Sequence, residues 1–218
     1  MLEADFHRFD AVCCDNWPRY RQTLHDASST GDGRHCLETG YAANVEIVRV
    51  ECLINDWMDV DGRIVRGEPC PSTVDALYAT AEQWWYIEFK RNETKSLNEK
   101  KSKLMYKIYD TVLQLVEHEM RTVRQVREND CYIVVAYKVC GRTDDEIRRI
   151  AADAGLEATG LIDAAINGVD DSVLVRPWKT EPPQVDANLD HWNGVLYKTA
   201  LTLTPAQFNL YAKEQGWR

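Results

Sequence analysis

No stretch of this chain approaches the roughly 18–20 consecutive apolar residues that a bilayer-spanning helix needs. The opening MLEADFHRFD is charged from position 3, unlike a secretory leader, so neither a membrane protein nor a secreted precursor is expected. The seven cysteines include no C-x-x-C pair, which excludes a locally encoded zinc ribbon or thioredoxin-type dithiol. An odd number of cysteines spread along 218 residues suits a reducing cytoplasm, the expected location, better than a disulfide scaffold. Cys13-Cys14 and His35-Cys36 lack the close paired spacing of a structural metal site and read as small buried hydrophobes and loop residues. There is no glycine-rich phosphate loop and no G-x-S-x-G, and His118 and His191 have no nucleophile at a recognisable spacing. Positive charge is also short. With 26 Lys+Arg against 35 Asp+Glu the net charge is −9, which argues against coating nucleic acid by bulk charge but leaves a local basic site open.

What is present is an ordinary globular composition, 44% hydrophobic and 28% charged. Residues 5–25 show a helical apolar spacing interrupted at Pro18, and DASSTGDGR (26–34) reads as an exposed loop. In YAANVEIVRVECLINDW (41–57) the β-branched content favours a strand, while the length and the Val45, Val48, Cys52 spacing favour a helix, the reading adopted here. Asp61-Gly62 predicts a hairpin turn between short arms MDV and RIV. VDALYAT (74–80) and WWYIEFKR (84–91) predict two strands paired as an antiparallel hairpin. A long helix is expected from Ser96 or Asn98, continuing toward Val123 or Val126, followed by a buried strand at 131–139. The helical crossover is long enough to set strands 84–91 and 131–139 parallel. Thr143 and Glu146 predict the start of a helix over 143–155, and SVLVRP (172–177) is the extended part of a less regular stretch. LYKTALTL (196–203) predicts a strand, with Thr204 as N-cap of a last helix, Pro205 in its first turn and Gln207 at N3. The expected class is α/β with a mixed sheet: a helical segment at 1–40, a core at 41–140 and an α/β extension at 141–218, all in one compact domain.

Glu88 and Lys90 are two apart in a strand and project from one face. Antiparallel pairing brings Asp75 alongside them. Two carboxylates and a lysine at one point suit metal-assisted phosphodiester hydrolysis, because the carboxylates hold Mg²⁺ while leaving positions for water and phosphate oxygens. Trp84, Trp85 and Tyr86 read as packing residues rather than base-stacking ones. Asp110 reads as a surface or capping charge, with a hydrogen bond toward the sheet as the alternative.

The order of a helix, a hairpin, Asp75, I-E-F-K (87–90), a long helix and the apolar strand 131–139 resembles the PD-(D/E)XK nuclease superfamily over roughly residues 41–139. The IEFKR…KIYD strand–helix pair is also similar to small bacterial proteins with no assigned activity. The resemblance implies an αβββαβ restriction-endonuclease-like core with extra helices at both ends. It implies Asp75 and Glu88 as ligands of Mg²⁺ or Mn²⁺, Lys90 as the catalytic lysine, and Glu46 or Glu51 as a further acid. It also implies a basic residue from the following helix, Lys107 or Lys103. Val74 stands where the family usually has proline, with Pro71 displaced by three positions.

Residues 90–107 hold seven bases against two acids, so this segment is +5 and the remainder −14. Arg91, Lys100, Lys101, Lys103 and Lys107 are the candidates to meet a DNA or RNA backbone there. Lys103 and Lys107 form an i,i+4 pair of like charge, unfavourable unless something anionic lies nearby. The competing reading is a non-catalytic, immunity- or antitoxin-like protein that binds a basic protein partner. It draws on residues 142–195, where eleven acids face five bases. A small-ligand module has no positive sign in its favour.

Overall fold

In a computed structural model, the residues described are 18–30, 34–37, 40–60, 62, 71–90, 101–136, 177–179, 192 and 194–218. Six strands form one mixed sheet: β1 (Arg21–Thr23), β4 (Glu46–Val48), β5 (Ala76–Ala79), β6 (Trp84–Lys90), β7 (Cys131–Ala136) and β8 (Thr199–Leu203), in that spatial order. The pairs β1–β4, β4–β5 and β5–β6 are antiparallel, and the pairs β6–β7 and β7–β8 are parallel. A separate ribbon pairs β2 (Ser29–Thr30) with β3 (Arg34–His35). The described helices are α1 (Leu24–Ala27), α2 (Val50–Val60), α3 (Lys101–Glu117), α4 (Val123–Asn129) and α5 (Pro205–Glu214).

The sheet is covered on both faces, and the alternation of β6 shows how. Trp84 and Tyr86 join Leu53, Ile54 and Trp57 of α2 and Leu104, Ile108 and Leu115 of α3 in one core layer. Trp85, Ile87 and Phe89 join Leu24 of α1, Phe208 of α5 and Trp217 in the other. Trp84, Trp85 and Tyr86 are all buried, so they pack rather than present stacking faces. Glu88 and Lys90 continue the Trp84–Tyr86 row and therefore face α3.

The antiparallel β5–β6 hairpin and the parallel β6–β7 pair agree with the sequence reading, with Ala76 opposite Ile87 and Ile87 opposite Ile133. The last helix starts as expected: Thr204 Oγ1 accepts from Gln207 N at 3.2 Å and Gln207 Oε1 accepts from Thr204 N at 3.0 Å.

Elsewhere the boundaries move. The helix expected over 41–57 divides into a 3₁₀ turn at Ala42–Asn44, β4 and α2. MDV belongs to α2 rather than to a hairpin arm, because Gly62, at φ +67°, donates its N–H to Asp59 O and closes the helix end. The antiparallel neighbour of β5 on the side away from β6 is thus β4, with α2 between them in the chain. Arg21–Thr23, expected as helix, is edge strand β1. The 26–34 loop contains the small ribbon and a buried Ser28.

The long helix stops at Glu117. Glu119 takes φ +57°, Met120 N bonds back to Leu115 O, and Thr122 with Gln125 forms a capping box that starts α4 anew. β8 begins at Thr199, not Leu196. The helix expected at 143–155, most of SVLVRP, the arm at 63–65 and residues 5–17 lie outside the described residues. Among the described residues no helix is long and apolar enough to cross a membrane.

Candidate functional site

Asp75 is the residue just before β5, level with Glu88 through the Ala76–Ile87 pairing. Its Oδ2 accepts from Phe89 N at 2.8 Å, which fixes the carboxylate against the β6 backbone. Its Oδ1 accepts from Lys107 Nζ at 2.9 Å. The same ammonium donates to Glu88 Oε1 at 2.8 Å, and Lys90 Nζ makes an ion pair with that oxygen too. Asp75, Glu88, Lys90 and Lys107 therefore converge at one end of the hairpin.

Helix α3 is pinned to this end by side chains that follow Lys107. Thr111 accepts from Val74 N at 3.0 Å and donates to Lys107 O at 2.7 Å. Asp110 Oδ2 accepts from Ser72 N at 3.0 Å, an exposed bond to the chain that enters β5. Thr111 was not legible as a site residue. The available signal was its i+4 spacing from Lys107, which places both on one helical face.

Glu88 is wholly buried. Its Oε1 carries two ammonium contacts, while its Oε2 has no hydrogen-bond partner among the described residues. Burial pushes the Glu88 carboxyl above its ordinary pKa and the Asp75 charge adds to this; Lys90 and Lys107 oppose it without cancelling it. Burial alone would pull the Lys107 ammonium down, but Glu88 and Asp75 outweigh it and hold its pKa above the usual range.

Asp75, Lys90 and Lys107 open onto a cleft of about 820 Å³, also lined by Glu51, Arg49, Gln22, Asp26 and Ser72. Lys90 and Lys107 are about one quarter exposed, so both reach this space. The two upstream acids part company. Glu51, in the first turn of α2, lines the cleft. Glu46 pairs with Arg21, and the Val48–Leu77 register carries it toward the far end of β5 from Asp75.

Arg91 and Lys100 lie outside the described residues, and Lys101 and Lys103 stand in the first turn of α3. Cys36 and Cys131 are buried free thiols and Cys52 is half-buried. Among the described residues no group of three or more His, Cys, Asp and Glu is assembled to hold a metal ion. The oxygen donors that do meet are Asp75 and Glu88. A pair of carboxylates with one buried oxygen unpartnered is a donor set suited to a hard divalent cation that keeps most of its waters.

No protein-family model, curated protein or solved structure matches this chain.

Proposed function

We propose that the protein is a Mg²⁺-dependent nuclease that hydrolyses phosphodiester bonds at the Asp75–Glu88–Lys90 end of the hairpin, on a restriction-endonuclease-like core. The observation that carries this reading is the convergence of two carboxylates and two lysines at one end of the hairpin, where Asp75, Lys90 and Lys107 line an open cleft and the buried Glu88 Oε2 is left without a partner. The sheet order β4-β5-β6-β7, antiparallel twice and then parallel across α3, supports it as the frame expected for such a site.

Asp75 and Glu88 would hold the cation, with Glu51 the nearer of the two upstream acids. A bound Mg²⁺ supplies Lewis-acid polarisation of a phosphate oxygen and a more acidic water. Lys90 orients the attacking water and offsets the negative charge that builds on the phosphorus oxygens. The basic stretch 90–107 gives a phosphate backbone its approach within an otherwise acidic chain.

The test is cleavage of linear and supercoiled DNA and of single-stranded RNA by the full chain, with Mg²⁺ or Mn²⁺. Wild type should cut at least one of them, and Lys90→Ala should lose roughly 10²–10⁴-fold of the rate. Equal cutting by both proteins, or none on any substrate, overturns the assignment.

A second reading draws on Lys107, which already neutralises the carboxylates. On that reading the quartet is structural, and the protein binds a basic partner through the acidic stretch 142–195. Absence of cleavage together with salt-sensitive capture of a basic protein would favour it.

A further inference from the structure

Glu88 is loaded unevenly. Both lysines reach one carboxylate oxygen and none reaches the other, although the whole side chain is buried. A buried acceptor left unmade is costly, and a fold seeking only a stable ion pair would spread the two ammonium groups over both oxygens. Lys107 Nζ is meanwhile held between Asp75 Oδ1 and Glu88 Oε1 at nearly equal distances, 2.9 and 2.8 Å. It occupies the position of a cation shared by two carboxylates. Its backbone is fixed by Thr111, but its side chain is about a quarter exposed and borders the 820 Å³ cleft. A lysine has a flexible four-carbon stem, so the ammonium can leave while the helix stays.

We propose that Lys107 is a positioning residue: it is the built-in counter-ion that holds Asp75 and Glu88 together, and a divalent cation displaces it into the cleft. This rests on the reading of Asp75 and Glu88 as the holders of that cation. One ammonium and one divalent ion then compete for the same two oxygens. The lysine keeps the like-charged carboxylates from splaying when no cation is present, at the expense of cation affinity. A purely structural ion pair would show no such competition.

The experiment titrates Mn²⁺ into the full chain and reads free Mn²⁺ by electron paramagnetic resonance, for wild type and Lys107→Met. Thermal unfolding is recorded with and without the ion. Lys107→Met should unfold at a lower temperature than wild type without cation and gain more from Mn²⁺. Its Mn²⁺ affinity should be at least about tenfold tighter, the factor that one charge-assisted hydrogen bond is worth. Equal or weaker affinity in Lys107→Met, with wild type still binding, overturns the displacement and leaves the cation site standing. Binding by neither protein overturns both. Should Lys107→Met not fold, wild type decides, through reductive methylation followed by peptide mass spectrometry. Saturating Mg²⁺ should raise Lys107 labelling, and unchanged labelling overturns the proposal.

Discussion

Two buried carboxylates sit near opposite ends of β6, and their surroundings differ in kind. Asp130 accepts from Trp84 N at 3.1 Å, from Tyr86 Oη at 3.3 Å and from Arg121 through both oxygens. Arg121 in turn donates to Glu82 O at 3.0 Å and lies 4.8 Å over the Trp84 ring. Every lone-pair direction of Asp130 has an answer, as expected of a structural clamp. Glu88 keeps one buried oxygen without a partner, next to two lysines that line a cleft, as expected of a site with something left to bind. Asp130→Ala should therefore cost about 3–5 kcal/mol of stability by leaving Arg121 buried and uncompensated, read as a lower urea midpoint. A loss under about 1 kcal/mol would mean that Arg121 reaches water.

At the scale of elements, α3 matters less for its length than for how it is held. Thr111→Val removes the acceptor for Val74 N, a buried donor, and should cost about 1–3 kcal/mol in denaturant unfolding. It should also weaken Mn²⁺ binding, because Asp75 is the next residue along; unaltered affinity would show that Asp75 is positioned by Phe89 N alone.

The same element shows what the sequence could and could not reveal. Its apolar face was legible from Leu104, Ile108, Val112 and Leu115, all buried. Its end was not, because Glu119 enters the left-handed region without being glycine or asparagine. Thr122-x-x-Gln125 carries the local cue for the restart, the same capping pattern that marks the last helix at Thr204 and Gln207. Gly62 misled in the other direction, since a positive φ serves a helix end as readily as a hairpin. Asp75, Glu88 and Lys90 could be grouped from strand period and pairing alone. The ammonium that joins the two carboxylates could not, because Lys107 and Lys103 share a helical face and only packing chooses between them.

At the scale of the molecule, the buried tyrosines and thiols among the described residues shift in one direction. Burial raises Tyr86, Tyr132 and Tyr197 well above the ordinary 10.0 and lifts Tyr211 as well. Cys36 is pushed up to about 11 and Cys131 to about 12. These groups stay protonated when folded but ionise near 9.0–10.0 once unfolded, so the unfolded chain holds fewer protons above about pH 9. Their contribution to stability is complete below that pH and is lost as pH rises toward the folded values. Thermal midpoints should fall between about pH 9 and pH 11, with the 295 nm tyrosinate signal of the buried rings rising only as the circular dichroism collapses. Smooth tyrosinate growth ahead of unfolding would show that the rings reach solvent.

The sheet's outer margin carries a different implication. β1 is three residues long, and Arg21 on it is ion-paired to Glu46 of β4. A margin that short and that charged offers another chain little backbone to extend, so strand-by-strand aggregation has a poor template there.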